Sequence, residues 1–128
     1  MHDLFFVLAP RYLPRLLEGA LVTVQLSLIS MAIATALGLL VALGRMGKSR
    51  ILRFVLNGYI EIFRDVPLIV QLLVIYFSLP SIGVSLPAFW AGVLGLSLNL
   101  GAYMSEMFRA SILSIDSGQR EAGLSIGM

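Results

Sequence analysis

The run Ala20–Gly44, ALVTVQLSLISMAIATALGLLVALG, carries no charged side chain. As a helix rising about 1.5 Å per residue it reaches roughly 36 Å, enough to cross a bilayer with some tilt. Its polar residues, Thr23, Gln25, Ser27, Ser30 and Thr35, are mild. Small residues recur four apart, Ala32 with Ala36 and Ala34 with Gly38. Such pairs let a second helix approach closely.

Two further apolar segments follow. Val66–Leu86 is uncharged but contains Pro67, Pro80 and Gly83. Pro80 marks a helix end, which leaves the uncharged part too short to span alone. The amphipathic stretch before it, ILRFVLNGYIEIFRD, supplies the rest. The expected element is one long helix from about Arg53 to Leu79, kinked near Pro67. The third run, Leu86–Ser105, reads LPAFWAGVLGLSLNLGAYMS and fits a span. Pro87 suits a helix start, and Phe89 and Trp90 suit a membrane interface. Ala91 and Gly95 form another close-packing pair, and Gly101 is a local weak point. The expected fold is thus an all-α membrane protein with spans near 19–44, 53–79 and 87–105.

Composition agrees. Of 128 residues, 59% are hydrophobic and 12% charged, about half the usual charged share of a soluble domain. A water-soluble chain of this size could not hide so much apolar surface. The net charge of +2 is too small, and the basic residues too dispersed, to point to nucleic acid. Without Cys there is no disulfide and no thiolate metal site, and His2 belongs to the chain end rather than to a ligand set. Residues 1–17 lack a cationic leader region, and Arg11 follows too soon after Leu4–Ala9 for a signal peptide. Pro10 and Pro14 make this segment a poor helix, so it reads as an extracytoplasmic lead-in, exposed or interfacial.

Basic residues set the orientation. GRMGKSRILR holds Arg45, Lys48, Arg50 and Arg53, whereas SLPSIGVSLPA holds none. The positive-inside rule places the first loop in the cytoplasm, the second outside, the N-terminus outside and everything after Met104 inside. Arg11 and Arg15 oppose this but are outnumbered.

Two polar stretches are candidates for function. In YIEIFRDVPLIVQL, Glu61 and Arg64 are three apart and can pair on one helix face. They read either as an ion pair seating the helix at the membrane edge or as groups facing a pathway or partner. Pro67 is either a plain kink or part of a gate. Glu61, Arg64, Pro67 and Gln71 are the pathway or interface candidates. In SEMFRASILSIDSGQREAGLSIGM, Asp116 and Gln119 resemble a capping box, so a short helix starts near Ser117. An exposed helix of about ten residues is marginal alone and needs something to dock against. There is no phosphate-binding glycine loop, no nucleophile with a matching base and no metal-ligand spacing. The expectation is a chain that is not an enzyme and holds no cofactor or metal.

The segments EGALVTVQLSLISMAIATALGLLVAL, YIEIFRDVPLIVQLLVIYFSLP and GAYMSEMFRASILSIDSGQREAGLSIG resemble the permease subunits of bacterial ABC importers for polar amino acids, of the histidine, glutamine, glutamate and arginine type. The likeness covers about Gly19–Met128. Its most specific piece is the cytoplasmic EAA loop over 114–128, here Glu121, Ala122, Gly123 and, after three residues, Gly127. Gly123 departs from the family's second Ala and makes the helix softer by roughly 1 kcal/mol.

The resemblance implies a type I permease fold of five helices with the loop between the third and fourth. This chain would then be partial, with residues 18–128 forming part of the transmembrane domain. It implies a coupling helix in which Gln119, Glu121, Ala122, Gly123 and Gly127 meet a cytoplasmic ATP-binding subunit. Glu121 is expected in the helix's first turn, and Gly127 where a neighbouring backbone comes close. A second permease subunit, identical or not, a periplasmic amino acid binding protein and membrane lipid are the other implied partners, in the bacterial inner membrane. The rival readings are a stand-alone small membrane assembly or regulatory subunit and a fragment of a secondary transporter.

Overall fold

The structure, a computed structural model, describes residues 1–115 and 117–127, and every regular element among them is helical. The order is α1 (His2–Arg45), α2 (Arg50–Asp65), α3 (Leu68–Ser78), a 3-10 turn (Leu79–Ile82), α4 (Ala88–Leu113) and α5 (Ser117–Ser125).

α1 runs unbroken through Pro10 and Pro14. The N-terminal segment is therefore helix, against the sequence expectation, although it is exposed as expected. Proline's fixed φ suits a helix, and each ring deletes only one N–H. Because this part of α1 is largely exposed, its carbonyls are not trapped in a dry core.

The second expected span is not one kinked helix. α2 and α3 are separate helices that turn 108° at the break between them. Val66 is extended, with φ −85° and ψ 131°, and Pro67 follows at φ −58° and ψ 143°. A residue before proline is pushed out of the helical region by the ring, and here the chain takes that option. Ser49 starts α2 by accepting a hydrogen bond from the Leu52 N–H at 3.3 Å. α3 passes into the 3-10 turn that carries Pro80, and Gly83 closes it at φ 86°, a left-handed position suited to glycine.

By length and apolar composition α1 alone can cross a membrane, and α2 with α3 qualifies only if the bent pair is taken as one span. α4 is long enough at 26 residues, but Ser97, Asn99, Ser105, Glu106 and Arg109 dilute its apolar character. Its buried residues are mostly small or polar: Ala91, Gly95, Ser97, Asn99, Gly101, Ala102 and Ser105, with Val93. α4 occupies the middle and packs against α1, α2 and α3.

The α1–α4 seam depends on glycine. A Cβ added at Gly38 would lie 2.8 Å from the Met104 Cβ and 3.1 Å from the Gly101 carbonyl oxygen. One at Gly101 would lie 2.9 Å from Leu37 Cδ2. Of the two small-residue pairs in α1, Ala34 with Gly38 is buried and Ala32 with Ala36 is exposed. At Gly95 an added Cβ would meet the end of the Leu72 side chain of α3, which can shift more easily than the backbone facing Gly38. Leu26 faces Gly92, Gly38 faces Gly101, and Arg45 meets Glu106, so α1 and α4 run parallel. The Arg45–Arg53 basic segment and the end of α4 thus share one end of the molecule.

Gly38→Leu is expected to destabilise the protein by about 1–3 kcal/mol, because the seam cannot widen without unpacking α4. Gly19→Leu, where a Cβ meets nothing within 4 Å, is the control. Thermal unfolding of the purified protein in detergent should show a lowered Tm for the first and not for the second.

Candidate functional site

The polar groups of the molecule gather where α2 ends. Pro67 has no N–H, so the Phe63 carbonyl loses the donor that an unbroken helix would give it. Gln71 Nε2 donates to it at 2.9 Å and Asn99 Nδ2 at 3.0 Å. Gln71 Nε2 also reaches the Val66 carbonyl at 2.9 Å, and its Oε1 accepts from Asn99 Nδ2 at 3.2 Å. Both amides are only 7% exposed. Tyr103 O–H donates to the Arg64 carbonyl at 3.3 Å, and Tyr59 O–H donates to the Leu98 carbonyl of α4. A carbonyl left unpaired away from water costs about 1–3 kcal/mol, and these side chains supply the partners that the broken helix no longer gives. Beneath them Val41, Ile60 and Ala102 form an apolar cluster with Leu37, Leu56, Tyr59 and Phe63.

An ionic cluster lies one helical turn further along α4. Glu106 Oε1 accepts from Arg45 at 3.0 Å and lies 3.7 Å from an Arg64 nitrogen. Arg45 Nε donates to Asn57 Oδ1 at 2.7 Å. The Arg64 guanidinium sits 5.6 Å from the centre of the Tyr103 ring. One carboxylate on α4 therefore joins the ends of α1 and α2. Asn99, Tyr103 and Glu106 are spaced four and three apart, so they share one face of α4.

The expected Glu61–Arg64 pair does not form. Arg64 turns toward Glu106 on α4, while Glu61 is exposed and has no ion-pair partner among the described residues. Long-range packing overrides the local spacing, since an exposed i, i+3 pair contributes only a few tenths of a kcal/mol.

α5 lies beyond the same end. Met46, which follows α1, lines a groove with Ile112, Leu113, Ile115, Gln119, Arg120, Gly123 and Leu124. The expected cap at Asp116 lies outside the described residues. α5 begins at Ser117, which puts Glu121 beyond the first turn and outside the strongest reach of the helix dipole. Glu121 and Ala122 are exposed. Gly127 has φ +85° and a Cβ there would meet nothing within 4 Å. The positive φ suits glycine at the left-handed turn that ends α5.

Residues 34–128 match the family described as binding-protein-dependent transport system inner membrane component. The chain belongs to this family. It is 45% identical over 115 residues to the L-cystine transport system permease protein TcyB of Bacillus subtilis, covering 90% of this chain and 49% of that protein. It is 38% identical over 117 residues to the arginine transport system permease protein ArtQ of the same organism, covering 91% and 53%. It also aligns with a chain in a crystal structure of an amino acid ABC transporter with histidines, at a TM-score of 0.85 and 40% identity, over 96% of this chain and 57% of that one. The chain spans about half the length of the curated relatives it matches.

Within this inner-membrane family member, the structure brings together Arg64, Pro67 and Gln71 from the sequence-derived candidates, and leaves Glu61 apart. Asn99, Tyr103, Glu106, Arg45 and Asn57 were not among those candidates. Asn99 had a signal, being the one amide in the uncharged third run. The tyrosines had none, since their partners are backbone carbonyls of a distant element.

Double-mutant cycles should rank the ion pairs. Arg45–Glu106 couples most strongly, because Arg45 is only 11% exposed. Arg64–Glu106 couples by less than about 1 kcal/mol, since Arg64 is 46% exposed. Glu61–Arg64 shows no coupling. Unfolding free energies of the single and double alanine variants give these terms, and an order reversed between the first and last would contradict the geometry.

Proposed function

We propose that this chain serves as a permease subunit of an ATP-driven amino acid importer and contributes helices to the translocation pathway. The observation that carries the reading is the match of nearly the whole chain to an amino acid ABC transporter at 40% identity. The names of TcyB and ArtQ point the same way, toward cystine and arginine as members of the substrate class.

In this reading three segments cross the inner membrane: α1, the broken α2–α3 pair and α4. The N-terminus is outside. The Arg45, Lys48, Arg50 and Arg53 end faces the cytoplasm, in keeping with the positive-inside rule. The parallel course of α1 and α4 supports this, because it gathers the basic segment and α5 at one end. α5 is then the coupling helix, and a cytoplasmic ATP-binding subunit docks on it. Its exposed Glu121 and Ala122, its short length and the groove beside Gln119 and Gly123 suit an element completed by a partner. A second permease subunit closes the pathway and an extracytoplasmic binding protein delivers the amino acid. ATP chemistry belongs to the ATP-binding partner, and this chain transmits its motion as a rigid-body change.

The chain has no Cys, so single cysteines report topology directly. Ser49→Cys and Ser85→Cys both lie at exposed positions. An impermeant maleimide should label Ser85→Cys in intact cells and Ser49→Cys only after permeabilisation. Labelling of both from the same side would overturn the topology.

Glu121→Lys, made in the assembled transporter, should leave membrane insertion intact while lowering amino acid uptake and substrate-stimulated ATP hydrolysis by at least about tenfold, the equivalent of 1.4 kcal/mol of docking or coupling. Normal uptake together with normal co-purification of the ATPase would remove Glu121 from the docking surface.

A further inference from the structure

Three prolines in this chain interrupt helical sequence, with two different outcomes. At Pro10 and Pro14 α1 continues as one helix, whereas at Pro67 the path turns 108°. Proline does the same local thing each time: it deletes one N–H and crowds the carbonyl four residues back. The difference must lie in the surroundings.

At Pro10 and Pro14 the carbonyls concerned belong to Phe6 and Pro10, on a stretch of α1 that is largely exposed. No described side chain donates to either of them. At Pro67 the Phe63 carbonyl takes two amide donors, Gln71 Nε2 from α3 and Asn99 Nδ2 from α4. The same Asn99 nitrogen also holds the Gln71 oxygen, so the two amides form one unit between three helices.

That unit exists only in the bent form. In a continuous helix, Gln71 would stand eight residues past Phe63, about 12 Å along the axis, beyond the reach of its side chain. The bent path brings it to 2.9 Å. A contact made in one conformation and impossible in the other biases the equilibrium toward the first. Straightening would also strip Asn99 of its partners inside the core, where it is 7% exposed.

We propose that the Gln71–Asn99 amide pair, rather than Pro67 by itself, holds the 108° turn, and so makes the end of α2, the start of α3 and the middle of α4 one rigid body. Pro67 permits the turn by vacating the Phe63 carbonyl, and the amides enforce it. The inference does not rest on the transport reading.

The test measures the turn directly. Cysteines replace Phe54 on α2 and Phe77 on α3, which are 80% and 65% exposed, in a chain that has no other Cys. Spin labels there report one distance by pulsed electron paramagnetic resonance on the protein in lipid. From helix rise, the backbone separation is about 20 Å in the bent form and about 35 Å in a continuous helix. Pro67→Ala alone should keep the short distance. Pro67→Ala with Gln71→Met, which keeps the side-chain length and removes the amide, should lengthen it by about 15 Å. Pro67→Ala with Asn99→Leu should do the same, and serves where the methionine variant does not accumulate. Lengthening with Pro67→Ala alone would show that the ring holds the turn and overturn the proposal. A short distance that survives removal of both the proline and an amide would overturn it as well, by showing that the remaining packing suffices.

Discussion

The carbonyl oxygen of Phe63 is the group around which this structure is arranged. Pro67 removes its helical donor, and the carbonyl lies in a partly buried site. Two primary amides take over, Gln71 from the following helix and Asn99 from a helix far along the chain. An amide on α4 can reach that carbonyl only if α4 runs through the middle of the molecule. That position in turn requires α4 to present small residues to its neighbours. Gly95 admits Leu72 of α3, and Gly101 admits Leu37 of α1. The polar turn, the central helix and the glycine-lined seams thus meet around one carbonyl that has lost its helical donor. Elsewhere in the seams Ser30, Ser97 and Ser105 bury hydroxyls that have no described partner, and their small volume is the property the packing uses.

The same face of α4 carries the arrangement toward the end of the molecule that bears the basic residues. Asn99 grips the Phe63 carbonyl, Tyr103 grips that of Arg64, and Glu106 joins the Arg64 and Arg45 side chains. A displacement of α4 along its axis would strain contacts to α1 and α2 together. α5 follows α4 closely, and its groove includes Met46 from the end of α1. A force applied at α5 therefore meets a connected set of helix ends rather than a single flexible tail.

Much of this was legible in order along the chain. The apolar run of α1, an irregularity near Pro67, the end of α3 at Pro80, the start of α4 after Pro87 and the short helix from Ser117 all follow from local composition. So does the close-packing role of Ala34 with Gly38 and of Ala91 with Gly95. Reading Pro10 and Pro14 as obstacles to a helix failed because an exposed proline leaves no trapped carbonyl behind it. Reading Pro67 as a kink understated the turn, because the amide that makes the turn favourable lies 28 residues beyond Gln71 in the chain. Pairing Glu61 with Arg64 failed for a related reason: spacing on a helix says which residues can meet, but a carboxylate on another helix was the better-placed partner.

The sequence by itself determined that this is a helical membrane protein, which of its segments are apolar, which end is basic and where α4 and α5 start. These are properties of a segment and its immediate neighbours, and hydrophobicity, proline and glycine act at that range. Tertiary structure alone decided that three prolines would have two outcomes, that Asn99 and Tyr103 would be spent on the backbone of α2, and that Arg64 would share Glu106 with Arg45. Each of those depends on a donor or charge brought in from a distant part of the chain. No local pattern records such a partner, because the free energy that selects it is the cost of leaving a buried polar group unpaired, and burial exists only once the helices have packed.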